Sequence, residues 1–186
     1  MVLPPQAVVL KMRIAIDARI AHYTGAGIGQ YAVHLAQALA RLDQANQYVL
    51  LQSRKDGRAL VDEPHVQRQS IWTPSHHRWE QELLAAEFNL RPVMRRLSLD
   101  LLHSTDFIPP LRLRNFKSVI TVHDLAFLRW PHFLTEDSAR YYGQVDAAVE
   151  RADHIIAVSE STKNDLVKLL GAPRDKITVV YEAADP

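Results

Sequence analysis

Short apolar segments rich in isoleucine and valine recur along this chain, and most are separated by stretches with helical periodicity. This alternation is typical of a parallel sheet, because parallel neighbours need a crossover that usually contains a helix. The sequence therefore predicts an α/β fold, a doubly wound and mainly parallel sheet with helices on both faces and right-handed crossovers. The predicted strands are 13–18, 48–51, 66–71, 101–103, 118–123, 154–158 and 177–180.

Apolar residues at spacings of three and four predict the helices between these strands. The first helix follows a glycine-rich turn, and Pro92 should kink or divide the second. The last helix begins after Ser159, whose hydroxyl can cap it, and ends at Gly171. The predicted helical stretches are 28–42, 74–97, 141–152 and 160–170.

Length and composition narrow the possible functions. A chain of 186 residues with 47% hydrophobic composition predicts a single domain. The net charge of +1 argues against bulk nucleic-acid binding. The absence of cysteine excludes disulfides, thiolate zinc sites and cysteine nucleophiles, and fits a cytoplasmic protein. Residues 1–12 are expected to be a loose leader, since their apolar run is too short for a secretory signal or a membrane span.

Ligands of doubly wound sheets bind beyond the carboxyl ends of the strands, so the residues that follow each strand are the candidates for chemistry. Four strand ends carry suitable side chains. They are Asp17 and Arg19 with the glycine turn, Ser104 to Phe107, His123 with Asp124, and Ser159 with Glu160.

The glycine turn at 25–29 is not a dinucleotide-binding fingerprint. Gln30 stands where that motif has glycine or alanine, and about six residues separate the turn from its strand. A nicotinamide-dependent oxidoreductase is therefore disfavoured. Two interpretations of the turn stay open, namely backbone amides that approach an anion at a helix N-terminus and an ordinary connection between strand and helix.

The side chains after the fifth and sixth strands have ordinary as well as functional interpretations. His123 can hydrogen-bond a ligand or a developing charge, but a structural or merely exposed histidine fits the same position. Helix capping is a sufficient role for Ser159, and Glu160 complements the dipole of the helix that it begins. His76, His77, His103 and His132 form no recognised metal-binding spacing.

Between residues 91 and 117 the chain has six basic residues and two acidic ones. This excess can hold a phosphorylated acceptor or rest on an anionic membrane surface. A solvated face of mixed charge is the third interpretation.

Taken in order, six segments resemble the N-terminal domain of glycosyltransferase family 4, the group 1 enzymes with a GT-B fold. The resemblance covers nearly the whole chain from Met12 onward. The segments are IDAR (16–19), GIGQY (27–31), DLLHSTDFIPP (100–110), TVHDLAFLRWP (121–131), RADHIIAVSESTKNDL (151–166) and KITVVYEAADP (176–186).

The resemblance implies two Rossmann-like domains around a cleft. Residues 13–181 would be the acceptor-side domain, and 182–186 the start of the linker to a C-terminal domain that holds a nucleotide diphosphate-sugar. It further implies retaining transfer of a hexosyl group to a glycan or lipid-linked acceptor by front-face substitution, without a divalent metal or another cofactor. This fits polysaccharide biosynthesis in the cytoplasm or at the inner face of the membrane. A non-catalytic binding or regulatory module that acts with a partner chain remains the alternative.

Individual roles follow from the resemblance by position. Gly27 and Gly29 would approach the donor phosphates and sugar, and His123 would contact that sugar beside Asp124. The acceptor side would be lined by Asp106, Phe107 and Glu160. Gln30 departs from relatives that have arginine there and is left without a role. The chain alone should be inactive, and an exposed apolar cleft face predicts self-association.

Overall fold

The computed structural model describes residues 11–25, 27–73, 90–107 and 116–183. Within these residues, seven strands form one sheet, and every neighbouring pair is parallel. The strands are β1 (Arg13–Asp17), β2 (Gln47–Ser53), β3 (Val66–Ile71), β4 (Leu101–Ser104), β5 (Lys117–Val122), β6 (His154–Ala157) and β7 (Ile177–Val179). All seven predicted strands are confirmed, with ends that differ by at most two residues.

Six α-helices connect the strands in the described part of the chain: α1 (Ile28–Leu42), α2 (Arg91–Leu97), α3 (Ala126–Arg129), α4 (Glu136–Tyr142), α5 (Val145–Arg151) and α6 (Glu160–Leu170). None of the helices in the described ranges is long and apolar enough to cross a membrane. The predicted helical residues 74–89 lie outside the described residues. Pro92 occupies the first turn of α2, where its missing N–H costs no hydrogen bond.

The expected single helix over 141–152 is wrong. Gly143 and Gln144 interrupt it, so that Tyr142 ends one helix and Val145 begins the next. The apolar face that the periodicity indicated is nevertheless real, because Val145, Ala148 and Val149 are all buried in one core cluster. Periodicity detects a shared face, but it does not detect a short break that leaves the face in place.

The two faces of the sheet are both covered by helices, as predicted. Adjacent residues of β1 point to opposite sides, as the pleat of a strand requires. Ala15 packs in a core cluster with Met94 of α2, and Ile16 packs in another with Ala36 of α1. A third cluster, which includes Ile120, fills the β5–β7 half of the domain.

The strand order is β3-β2-β1-β4-β5-β6-β7. The chain therefore winds outward in one direction from β1 to β3 and in the opposite direction from β4 to β7. Connections that leave the sheet at such a reversal diverge and open a crevice at the carboxyl edge. Such a crevice is expected here between the glycine turn that follows β1 and the loops that follow β4 and β5.

Candidate active site at the carboxyl edge of the sheet

The side chains that follow the strand ends differ in their exposure. Asp17 and Arg19, after β1, are buried, whereas Asp124 and Glu160 are exposed. His123, directly after β5, is intermediate, with 14% of its side chain accessible to solvent. The imidazole is therefore a partly enclosed polar group of this edge.

Three neighbours hold the imidazole of His123. Its Nε2 lies 3.0 Å from the main-chain oxygen of Thr105, and its Nδ1 lies 3.0 Å from a carboxylate oxygen of Glu182. A carbonyl oxygen only accepts, so Nε2 donates to Thr105. The ring of Tyr31 meets the imidazole edge-on, with the ring centroids 4.8 Å apart. The loop after β4, helix α1 and the segment after β7 thus converge on one side chain.

A chain of buried hydroxyl and imidazole groups lies beneath this contact. The hydroxyl of Tyr31 is 3.1 Å from Oγ1 of Thr121, which is also 2.9 Å from Nε2 of His103. Burial lowers the pKa of His103 to about 4, so its ring is neutral at physiological pH. Burial is also the main cause of the raised pKa of Tyr31, so the phenol keeps its proton. The three side chains therefore connect α1, β5 and β4 without carrying a charge.

The main chain at His123 is fixed from the other side by α6. The hydroxyl of Thr162 donates to the main-chain oxygen of His123 at 3.0 Å. Ser159 accepts from the N–H of Thr162 at 3.0 Å and lies 2.9 Å from the Thr162 hydroxyl. The predicted cap of α6 by Ser159 is confirmed. Ser159 also contacts Thr162, which in turn bonds to the main chain of His123.

The glycine turn depends on glycine at two positions. Gly27 caps α1 with φ of 52° and ψ of −117°, a conformation that residues with a β-carbon rarely adopt. A β-carbon at Gly29 would collide with the main-chain oxygen of Thr24. Gln30, which had no assigned role, donates from Nε2 to the oxygen of Gly25 at 2.6 Å and so closes the turn.

The ion pair after β1 faces inward. Arg19 and Asp17 approach to 2.8 Å with side chains that are 4% and 7% exposed. The main-chain oxygen of Asp17 accepts from the hydroxyl of Thr105 at 2.7 Å. The two candidate side chains after β1 are thus buried against each other, and the main chain of Asp17 joins the end of β1 to the loop whose carbonyl receives His123. A ligand contact of Asp17 or Arg19 stays a prediction.

The residues expected on the acceptor side separate into two groups. Asp106 is buried and accepts from the hydroxyl of Tyr141 and from the N–H of Phe107, both at 2.7 Å. Phe107 is buried in an aromatic cluster with Phe127, Tyr141 and Tyr142. Glu160 is exposed in the first turn of α6. An acceptor contact of these residues stays a prediction.

Asp124 has a local structural task. Its carboxylate accepts from the N–H of Ala126 at 2.9 Å and so begins the short helix α3.

Sequence reasoning missed Tyr31, Thr121 and Glu182 as neighbours of the site. Tyr31 was visible only as one member of the apolar stripe of α1 and as the last residue of the segment GIGQY, and nothing local to residue 121 or residue 182 points to His123.

Two further predictions from the sequence were that there is no metal site and that residues 91–117 form a basic segment. Within the described ranges, no group of three or more histidine, aspartate or glutamate side chains could hold a metal ion. Part of the basic segment, with Arg112 and Arg114, lies outside those ranges. In the described part, Arg96 contacts Gln69 and Lys117 pairs with Asp153 at 2.9 Å. Membrane contact by this segment stays a prediction.

Comparison with known families decides the kind of domain. The sequence model of Glycosyltransferase Family 4 matches residues 25–186, which includes the glycine turn, His123 and every strand after β1. The chain belongs to glycosyltransferase family 4. The match extends over most of the sheet, so the resemblance in the sequence motifs is confirmed.

Two solved structures are similar to the family 4 domain. The first, a glycosyltransferase from Rickettsia africae ESF-5, has a TM-score of 0.48 and 14% identity over 95% of this chain and 44% of its own. The second, the wall teichoic acid polymerase TagF, has a TM-score of 0.49 and 11% identity over 90% of this chain and 37% of its own. The family 4 domain thus spans less than half the length of either chain. No curated protein matches it.

Proposed function

We propose that this family 4 domain is the acceptor-side half of a retaining hexosyltransferase. Its donor is a nucleotide diphosphate-sugar held by a second domain, and its acceptor is a glycan or a lipid-linked glycan, as in polysaccharide biosynthesis. The main support is the position of His123. Its imidazole stands at the carboxyl edge of the sheet, against the helix that the glycine turn begins.

Each part of the edge has a chemical task in this proposal. Gly27 and Gly29 carry no side chains, so the main chain of the turn can approach the diphosphate and the transferred sugar. His123 hydrogen-bonds a hydroxyl of that sugar, for which one of its present partners gives way. Both Thr105 and Glu182 are acceptors, and a sugar hydroxyl can replace either of them.

The proposed reaction is a front-face substitution. The bond between the anomeric carbon and the leaving phosphate oxygen breaks, and the acceptor oxygen bonds to the same face of that carbon. The proton of the acceptor hydroxyl passes to the leaving phosphate. The domain therefore contributes orientation and electrostatic stabilisation, with no strong general base of its own. The proposal requires no divalent metal, and for a lipid-linked acceptor the domain works at the inner face of the membrane.

Transfer assays with a panel of nucleotide-sugars test the proposal. The family 4 domain together with its donor-binding domain should release nucleoside diphosphate in an acceptor-dependent way. The 186-residue chain alone should not. Turnover by the chain alone would contradict a donor site on a second domain. Inactivity with every donor, combined with tight binding of a partner protein, would favour the non-catalytic module.

A pair of histidine variants tests the role of the imidazole. His123→Ala should lower kcat by about a hundredfold, because it removes a contact made in the transition state. His154→Ala is the matched control, since His154 begins β6 at the opposite edge of the sheet and its imidazole has Thr178 as its one hydrogen-bond partner among the described residues. Equal rates for the two variants would remove His123 from the mechanism.

A further inference from the structure

We infer that Tyr31 is a positioning residue, which holds the imidazole of His123 at a fixed place relative to the glycine turn. This inference rests on the function proposed above, in which the turn and the imidazole act on the same sugar. Tyr31 touches both parts of the site. Its N–H donates to the main-chain oxygen of Gly27 at 2.9 Å, and its ring meets the imidazole edge-on at 4.8 Å.

The ring of Tyr31 contacts β5 and its extension at two points. Its hydroxyl bonds to Thr121, and its ring edge contacts His123, two residues further along the chain. Thr121 is fully buried within the sheet, so it provides a rigid anchor for the phenol. Two contacts to one strand fix both the direction and the tilt of the ring, and an edge-on ring contact depends on that tilt.

The hydroxyl of Tyr31 can be removed without leaving a charged group behind. The neutral ring of His103 still bonds to Thr121 after the change, so the polar chain loses one end and keeps the other. Tyr31→Phe therefore deletes the anchor of the ring but keeps the ring itself. We expect the imidazole to become less well ordered while the fold remains.

A second tyrosine, in β2, whose hydroxyl bonds next to the C-terminal end of α1, offers a matched control. Tyr48 is buried, and its hydroxyl donates to Asp43 at 2.7 Å. Asp43 follows the last residue of α1, whereas Tyr31 lies in its first turns, so the two hydroxyls are at opposite ends of a 15-residue helix. Tyr48→Phe thus removes a similar hydrogen bond far from the imidazole.

Steady-state kinetics on the protein that carries both domains provide the first test. Tyr31→Phe should lower kcat by about tenfold, with a change in the donor KM of less than about threefold, because a shifted imidazole weakens the transition state more than the bound substrate. Tyr48→Phe should leave kcat within about twofold. A wild-type kcat for Tyr31→Phe, or equal losses in the two variants, would overturn the inference.

NMR of the 186-residue chain separates this inference from the proposed function. In the wild type, ring protons of Tyr31 should show nuclear Overhauser contacts to the imidazole of His123. These contacts should weaken in Tyr31→Phe and persist in Tyr48→Phe. Unchanged contacts in Tyr31→Phe would overturn the positioning role even if the enzyme is active. Weakened contacts, combined with no transferase activity of the protein that carries both domains, would support positioning and reject the proposed reaction.

Discussion

The carboxylate of Glu182 lies 3.0 Å from Nδ1 of His123, while the opposite nitrogen of the same ring donates to the main-chain oxygen of Thr105. Both partners of the imidazole are therefore acceptors. A neutral ring has a single N–H and can satisfy one of them, whereas a protonated ring satisfies both. Thr105 and Glu182 are thus alternative acceptors for the single N–H of a neutral ring.

Removal of Glu182 should leave the imidazole bonded to Thr105 alone. In Glu182→Ala, we expect a neutral ring to carry its proton on Nε2, since the acceptor beside Nδ1 is gone. The free energy of unfolding should change by less than about 1 kcal/mol, because the carboxylate is 47% exposed. Nitrogen-15 shifts of the ring check the tautomer, with His154 as an internal reference. A proton on Nδ1 in the variant would contradict the prediction.

Gly29→Ala should destabilise the domain through a steric clash. The new methyl group would collide with the main-chain oxygen of Thr24, and backbone atoms cannot move aside as a flexible side chain can. We expect a loss of about 1–3 kcal/mol in the free energy of unfolding, measured by urea denaturation. Gly57→Ala is the control, because a methyl group there would meet no described residue within 4 Å beyond its chain neighbours, and its φ is not positive. Equal midpoints for both variants would show that α1 shifts freely.

The buried ring of His103 should make the domain less stable in mild acid. Its pKa is lowered to about 4 by burial, while the unfolded chain protonates near the ordinary value of 6.5. The folded state therefore binds fewer protons between these values, and stability is complete above pH 6.5 and declines as the pH falls toward 4. From pH 7 to 5 this group should cost about 2 kcal/mol of unfolding free energy.

Urea denaturation of the wild type and of His103→Gln over this pH range isolates the contribution. The variant should be less stable at pH 7 because a packed hydrogen bond is altered, but its stability should fall less steeply toward pH 5. His154→Gln serves as the control, since His154 is a more exposed histidine whose replacement should leave the slope unchanged. Parallel slopes for wild type and His103→Gln would contradict a neutral buried ring.

The cap of α6 should affect the site as well as the stability. Ser159→Ala removes the acceptor for the N–H of Thr162, which should cost about 1 kcal/mol. Thr162 also holds the main-chain oxygen of His123, so the amide shifts of residues 123 and 124 should change. Thr135→Ala removes the equivalent cap of α4, where Thr135 accepts from Ser138. Thr135→Ala should lower the free energy of unfolding by a similar amount. Altered amide shifts at residues 123 and 124 in Thr135→Ala would contradict a specific link between the cap of α6 and His123.

Much of this fold could be predicted because the signals are local. β-Branched runs indicate buried strands, and Ser159 with Gly171 marks both ends of α6. The helix break at Gly143 was missed because Tyr141 and Val145 remain on one face when the helix is interrupted. The inward direction of Asp17 was also missed, since a position after a strand does not reveal whether the side chain finds a buried partner such as Arg19.

The site was only partly predictable, because its contacts are not local in the sequence. The position of His123 follows from the end of β5, but its partners come from three distant parts of the chain. Glu182 was assigned to a linker, and Tyr31 was counted as an apolar helix residue. Pairings of this kind depend on strand order and register, which a single sequence does not encode in any local pattern.

The link between Tyr31 and Thr121 joins residues 90 positions apart and has a kinetic consequence. Closing such a long loop is entropically unfavourable until the intervening strands have assembled, so we expect this contact to form late in folding. A nascent or partly unfolded chain is consequently expected to lack the arrangement of Tyr31 around His123, which depends on a completed tertiary structure.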